Sequence, residues 1–131
     1  MSTTVDVIFS GGMKVDAQIG DVLIKTDQPV KDGGEDSAPE PSKLFLASIA
    51  TCAGLYALRF CQTRKLPTEG LAFTMRYEQD PKTKLYSKMI LELTLPPDFP
   101  EKYKKAVARS AESCFIKKHF SNPPQFETVL M

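Results

Sequence analysis

Residues 41–64 read PSKLFLASIATCAGLYALRFCQTR, and how this stretch folds decides the architecture of the chain. Residues 42–64 carry no internal proline, and Pro41 is acceptable at the first turn of a helix. Up to Leu58 the segment is apolar on nearly every side, which describes a helix buried all round rather than one laid on a surface. One long central helix is therefore expected. Gly54 would weaken it by about 1 kcal/mol relative to alanine. Either another backbone packs closely there or the glycine is simply tolerated.

Strand patterns lie on both sides of this helix. Val5, Val7 and Phe9 alternate with Asp6 and Ile8 ahead of the Gly11-Gly12 turn. In residues 13–18, Met13, Val15 and Ala17 share one face and Lys14, Asp16 and Gln18 the other. Gly20-Asp21 makes a second turn before VLIKT. Downstream, Leu71, Phe73, Met75 and Tyr77 form one apolar face, and Leu85, Met89, Leu91, Leu93 and Leu95 another. One-sided alternation of this kind belongs to antiparallel sheets with one wet face. Residues 101–120 read as a single amphipathic helix with Tyr103, Val107, Ala111 and Cys114 along one stripe. QFETVL reads as a closing strand. The order βββ-α-ββ-α-β gives an α+β fold with helices on an antiparallel sheet. No repeat or domain boundary interrupts it, so residues 1–131 are read as one domain.

Bulk properties exclude several classes. Of the 131 residues, 42% are hydrophobic and 25% charged, enough for a core and a solvated surface. A net charge of +1 provides no field to gather nucleic acid or an anionic membrane. No apolar run is expected to reach the ~20 residues a bilayer demands, and the N-terminus does not resemble a signal peptide. A cytoplasmic protein without nucleic-acid or membrane partners is the expectation. The three cysteines, Cys52, Cys61 and Cys114, are odd in number and show no CxxC spacing, which argues against a disulfide framework or a zinc site. No metal and no organic cofactor are expected.

Cys52 and Cys61 stand nine residues apart on the expected helix, on opposite sides and more than two turns distant. A disulfide needs Cα atoms within about 7 Å, so Cys114 is the only candidate partner for Cys52. Both could equally be ordinary core residues, since free cysteine often packs as a small hydrophobe. Arg59, two turns beyond Cys52, is a possible source of positive charge. The segment from Asp27 to Pro41 holds three prolines, an adjacent glycine pair and five acidic residues. It can be neither helix nor central strand, and a loop of that length is functional or disordered.

TDQPVKDGGEDSAPEPSKLFLASIATCAG (residues 26–54), followed by ESCFIKKHF (residues 112–120), resembles the OsmC/Ohr family of osmotically inducible protein C and organic hydroperoxide resistance proteins. The most specific part is the Gly- and Pro-containing loop entering a P-x-x-L-x-x-A-x-x-x-x-C helix, here Pro41, Leu44, Ala47 and Cys52. The resemblance implies an intertwined homodimer with two long central helices at its middle. It implies a thiol peroxidase in which Cys52 attacks an organic hydroperoxide and Cys114 resolves the sulfenic acid as a disulfide. A dithiol would then reduce that disulfide, in defence against oxidative stress. Phe45, Ile49, Tyr56 and Phe115 are the expected lining of an apolar substrate pocket.

The peroxidase branch of that family supplies an arginine from an N-terminal strand and a glutamate near the start of the central helix. Here the strand offers Lys14, the helix begins Ser42-Lys43, and the nearest carboxylates are Glu35, Asp36 and Glu40. Phe115 stands where many relatives have proline. The chain is therefore closest to the OsmC-like branch. Lys14, with Glu35 or Asp36 as anchor, is the substitute for the activating pair; Lys117 and Lys118 are alternatives. His119 is read as a helix C-terminal residue rather than a base. A non-catalytic dimer that binds a small apolar ligand or senses redox state is the alternative function.

Overall fold

The computed structural model describes residues 4–131, which gather into two compact units, one through Ala47 and one from Ser48 onward. In the first, strands β1 (Asp6–Gly11), β2 (Lys14–Ile19) and β3 (Val22–Ile24) form an antiparallel sheet in that order. Val7 faces Ala17 and Phe9 faces Val15 across β1 and β2. Gly11 and Gly12 take φ of 114° and 57° at their turn, a conformation that glycine adopts without strain.

The sheet does not bury the face that its hydrophobic alternation marks. Phe9 is 80% exposed and Met13, Val15 and Val7 are exposed as well, whereas Asp16 is buried and Lys14 half-buried. The cover comes from the acidic loop. Glu35 pairs with Lys14 at 2.9 Å, and Asp27 and Asp16 add their charge to Lys14. A polar strand face thus meets a polar loop, and the apolar face stays open.

The long helix is present as α1 (Pro41–Thr63), running from the end of the first unit into the second. Burial all round is not what the chain supplies. Leu46, Ile49, Ala53, Ala57 and Cys61 form a buried stripe, while Thr51, Leu55 and Arg59 lie exposed. Around Gly54 an added Cβ would meet nothing within 4 Å among the described residues, so close packing there does not arise within the chain. At 23 residues, with mean hydropathy 1.7 over its most apolar 18, α1 also has the length and composition of a membrane span. That corrects the expectation that no apolar run is long enough. Core helices share both properties, and a third of this window is buried in the chain.

In the second unit, β4 (Ala72–Gln79) and β5 (Tyr86–Thr94) pair antiparallel as a separate hairpin. The core joins Ala53, Ala57 and Cys61 to Phe99, Val107 and Ala111, with Phe73, Leu91 and Leu93 from the hairpin packed against them. The outer face carries the Arg76–Glu92 ion pair.

The single helix expected over residues 101–120 is broken. After a 3-10 turn at Glu101–Tyr103 come α2 (Lys104–Glu112) and α3 (Phe115–Ser121). The Ser113 N–H closes on the Ser110 carbonyl at 3.1 Å, and the Ser110 and Ser113 hydroxyls bond to the Val107 and Arg109 carbonyls. Hydroxyls that compete for helix carbonyls favour termination here. Cys114 then turns out of the helix with φ −52° and ψ 128°. The closing strand QFETVL is not formed. Residues 122–131 hold no regular structure, with Phe126 and Leu130 over 90% exposed. A strand needs an edge to pair with, and residues 122–131 pair with none of the strands among the described residues.

Candidate functional site

The break before α3 creates the site. α3 has Cys114 at its N-cap, yet the Cys114 side chain does not cap it. The sulfur that meets its first amides belongs to Cys52 on α1. Burial pushes the Cys52 thiol up, but hydrogen bonds outweigh it. The backbone N–H of Ile116, the Cys114 thiol and the backbone N–H of Phe115 all favour the thiolate, as does the charge of Arg59. The net effect is a Cys52 pKa below the ordinary thiol value. Backbone donors at a helix start act on cysteine in this way.

Cys114 moves in the opposite direction. It is fully buried. Desolvation and its hydrogen bond to Cys52 raise its pKa, against the weaker opposing effect of the Lys117 and Ile116 amides. The pair is polarised: Cys52 is half-buried and is the easier of the two to ionise, while Cys114 holds its proton and donates it. Both thiols are free, as is Cys61. Cys61 is sealed in the core, where burial raises its pKa.

The supporting residues fall as follows. Lys14 takes Glu35 as its partner, and this contact raises the lysine's pKa. Asp36 is exposed, at a positive φ of 55°, and its N–H bonds to the Gln28 carbonyl. His119 bonds through Nδ1 to the Phe115 and Ile116 carbonyls and touches the Phe115 ring. Phe45 is 38% and Phe115 58% exposed. Ile49, one turn before Cys52, is buried and lines a cavity of about 340 Å³ in the second unit. Met89, Leu91 and Phe120 complete its apolar wall. Tyr86, Ser87, Lys88 and Lys117 supply its polar part. Tyr56, half-buried, does not line this cavity.

Two features escape a reading of residue types. The α3 amides that bond Cys52 depend on the helix break, signalled in the sequence only by Ser110 and Ser113. The carboxylate of Asp27 is the other. It is 1% exposed and accepts from the N–H groups of Gln28, Glu35 and Ser37 and from the Ser37 hydroxyl at 2.6 Å. The Ser37 hydroxyl bond is the main cause that lowers its pKa to about 2. Residues 27–37 are therefore an ordered loop. A buried aspartate bonded to loop amides is suggested by its place at the head of a Gly-Gly, Pro-containing segment.

Solved structures share this architecture. A candidate osmotic stress induced and detoxification response protein from Psychrobacter arcticus superposes with a TM-score of 0.75 at 21% identity, covering 90% of this chain and 88% of its own. An OsmC-like protein of unknown function from Vibrio cholerae gives 0.62 at 11% identity, with 90% and 92% covered. An organic hydroperoxide resistance protein OsmC from Legionella pneumophila, described as a predicted redox protein, gives 0.56 at 19% identity, with 92% and 89% covered. No curated protein matches the sequence. The profile of the OsmC-like proteins matches residues 34–129, from the acidic loop through both cysteines, and the chain belongs to that family.

Proposed function

We propose that the protein is a cysteine-based thiol peroxidase that reduces organic hydroperoxides to alcohols and works as a homodimer. The observation that carries this reading is the polarised thiol pair, with Cys52 bonded to the α3 amides and to Cys114. The Cys52 thiolate attacks the distal oxygen of ROOH. The O–O bond breaks, the alkoxide leaves and takes a proton to become ROH, and Cys52 becomes a sulfenic acid. The Cys114 sulfur then displaces the sulfenic hydroxyl, its proton leaving with the hydroxyl as water, and a Cys52–Cys114 disulfide forms. A dithiol reduces it by two exchanges, ending as its own disulfide.

The test is intact mass and peptide mapping after one equivalent of cumene hydroperoxide, without reductant. The expected product is a Cys52–Cys114 disulfide, two mass units lighter as the balance above requires. Unreacted thiols, or slow overoxidation of Cys52 alone, would overturn the reading in favour of a ligand-binding dimer. The cavity beside Ile49 is the feature that favours that second reading.

A further inference from the structure

Residues 104–121 hold no proline and no glycine, yet the helix begun at Lys104 does not run through them. In an unbroken helix the N–H groups of Phe115, Ile116 and Lys117 would bond to carbonyls four residues back, at Ala111, Glu112 and Ser113. The break makes them the first amides of α3, and such amides have no partner inside their own helix. Two sulfurs take them instead. Phe115 and Ile116 donate to Cys52, and Ile116 and Lys117 donate to Cys114. The backbone donors at the cysteine pair therefore exist only while α2 stays ended.

Ser113 is where it ends, with φ −81° and ψ 17°. Its N–H bonds the Ser110 carbonyl at 3.1 Å rather than the Arg109 carbonyl four residues back. The Arg109 carbonyl then takes its donor from the Ser113 hydroxyl, at 3.3 Å. One residue thus tightens the last turn with its amide and covers the carbonyl so released with its side chain. Ser110 differs. Its hydroxyl bonds the Val107 carbonyl, which lies inside α2 ahead of the break, and it serves the last turn through its own carbonyl, which any residue has. Alanine at position 113 removes the replacement donor. It is also the best helix former, so it favours return of the amide to Arg109 and continuation of α2 through Cys114. The Phe115 and Ile116 amides would then turn from the sulfur to helix carbonyls.

We propose that Ser113 is a positioning residue: its hydroxyl holds the end of α2 and so keeps the Phe115 and Ile116 N–H groups on the Cys52 sulfur. What that sulfur does in turnover rests on the peroxidase reading, and the placement of the amides does not, so the two are tested apart. Alkylation of Cys52 by iodoacetamide, which needs no peroxide, is followed against pH by peptide mass in the unaltered protein, Ser113→Ala and Ser113→Thr. Consumption of cumene hydroperoxide with dithiothreitol is followed over the same pH range. Weaker amide contacts leave less thiolate, so Ser113→Ala should label Cys52 about three- to tenfold more slowly below the midpoint of its labelling curve and equally fast well above it. Ser113→Thr keeps the hydroxyl and should stay within about twofold of the unaltered protein. The kcat/KM for hydroperoxide should follow the same pattern, lost at lower pH and recovered at higher. Cys61, sealed in the core, should lag equally in all three proteins. Unchanged labelling of Ser113→Ala overturns the inference, and so does a threonine variant that behaves as the alanine one. Slowing by one factor at every pH, or loss of protection at Cys61, makes Ser113 a structural residue only and overturns it as well. Hydroperoxide consumption without a labelling shift leaves the peroxidase standing and removes the proposal. A labelling shift in a protein that consumes no hydroperoxide supports the positioning role of Ser113 and overturns the peroxidase reading.

Discussion

Cys52 and Cys61 stand on one helix and differ in what meets the sulfur. Cys61 lies in the core, and its burial pushes it toward the neutral thiol against the charge of Arg64. Cys52 accepts from two amides and a thiol, which offsets its burial. Because its pKa is lowered, the thiolate fraction of Cys52 rises with pH through a range below that of an ordinary thiol. Alkylation by iodoacetamide, followed by peptide mass, should therefore label Cys52 first as pH is raised, with Cys61 and Cys114 lagging. Arg59→Gln removes a side-chain charge that favours the Cys52 thiolate. It should move that labelling curve to higher pH and slow peroxide consumption by no more than about fivefold, because an exposed charge is well screened. Cys61→Ala should lower stability by about 1 kcal/mol, as buried truncations of this size do. It should leave peroxide consumption unchanged, and denaturant unfolding beside an activity assay checks both. The difference between these cysteines was only half legible in the sequence. Helical spacing separates them, but the amides that distinguish Cys52 belong to α3, and no residue type announces a backbone donor.

At the scale of elements, the decisive ones are the acidic loop and the broken second helix. The loop is organised by a single buried carboxylate. Asp27 has a folded pKa of about 2, below its ordinary 3.8. Its ionised form is favoured by the fold, so its contribution is complete above about pH 4 and is lost as pH falls toward 2. Hydrogen exchange at the Glu35 and Ser37 amides should accelerate across that window, and Asp27→Asn should abolish the pH dependence. Gly34 is the loop's steric limit: a Cβ there would lie 1.9 Å from the Gln28 carbonyl oxygen. Gly34→Ala should cost about 2 kcal/mol or more, since backbone must shift, and should open the loop to proteolysis while α2 and α3 keep their exchange protection. Proline and glycine punctuation made the loop legible as a loop. Its order was not, because order here comes from one aspartate turned inward. The same blindness explains β2: alternation correctly gave a strand, but the loop's charges chose which face to cover.

For the whole molecule, the question is what covers the apolar surface that one chain leaves open. The central helix was legible from its composition, and so was the class of fold; that a single chain buries only one stripe of it was not, because composition does not say who supplies the cover. On α1 the exposed positions include Leu55 at 42%, and in the first unit Val5, Val7 and Phe9 are each more than half exposed. A 131-residue domain rarely leaves this much apolar surface to water. Two environments could bury it: a second copy of the chain, or a bilayer, for which α1 has the length. Within the α1 sequence, Lys43 and Arg59 both fall inside the stretch that would have to span, and Arg59 lies in its C-terminal half with Arg64 just beyond. Self-association needs no such burial of charge. Sedimentation velocity without detergent should therefore give a dimer near twice the 14.6 kDa chain, with no flotation on neutral vesicles. Leu55→Lys places a charge on the open stripe of α1 while leaving the Ile49–Ala53–Ala57–Cys61 core untouched. It should shift the dimer toward monomer by a factor of about ten to a hundred in dissociation constant, the usual scale for a charge forced into an apolar interface. A monomer in both proteins, or flotation with the vesicles, would place the apolar face elsewhere and remove the dimer from the proposed mechanism.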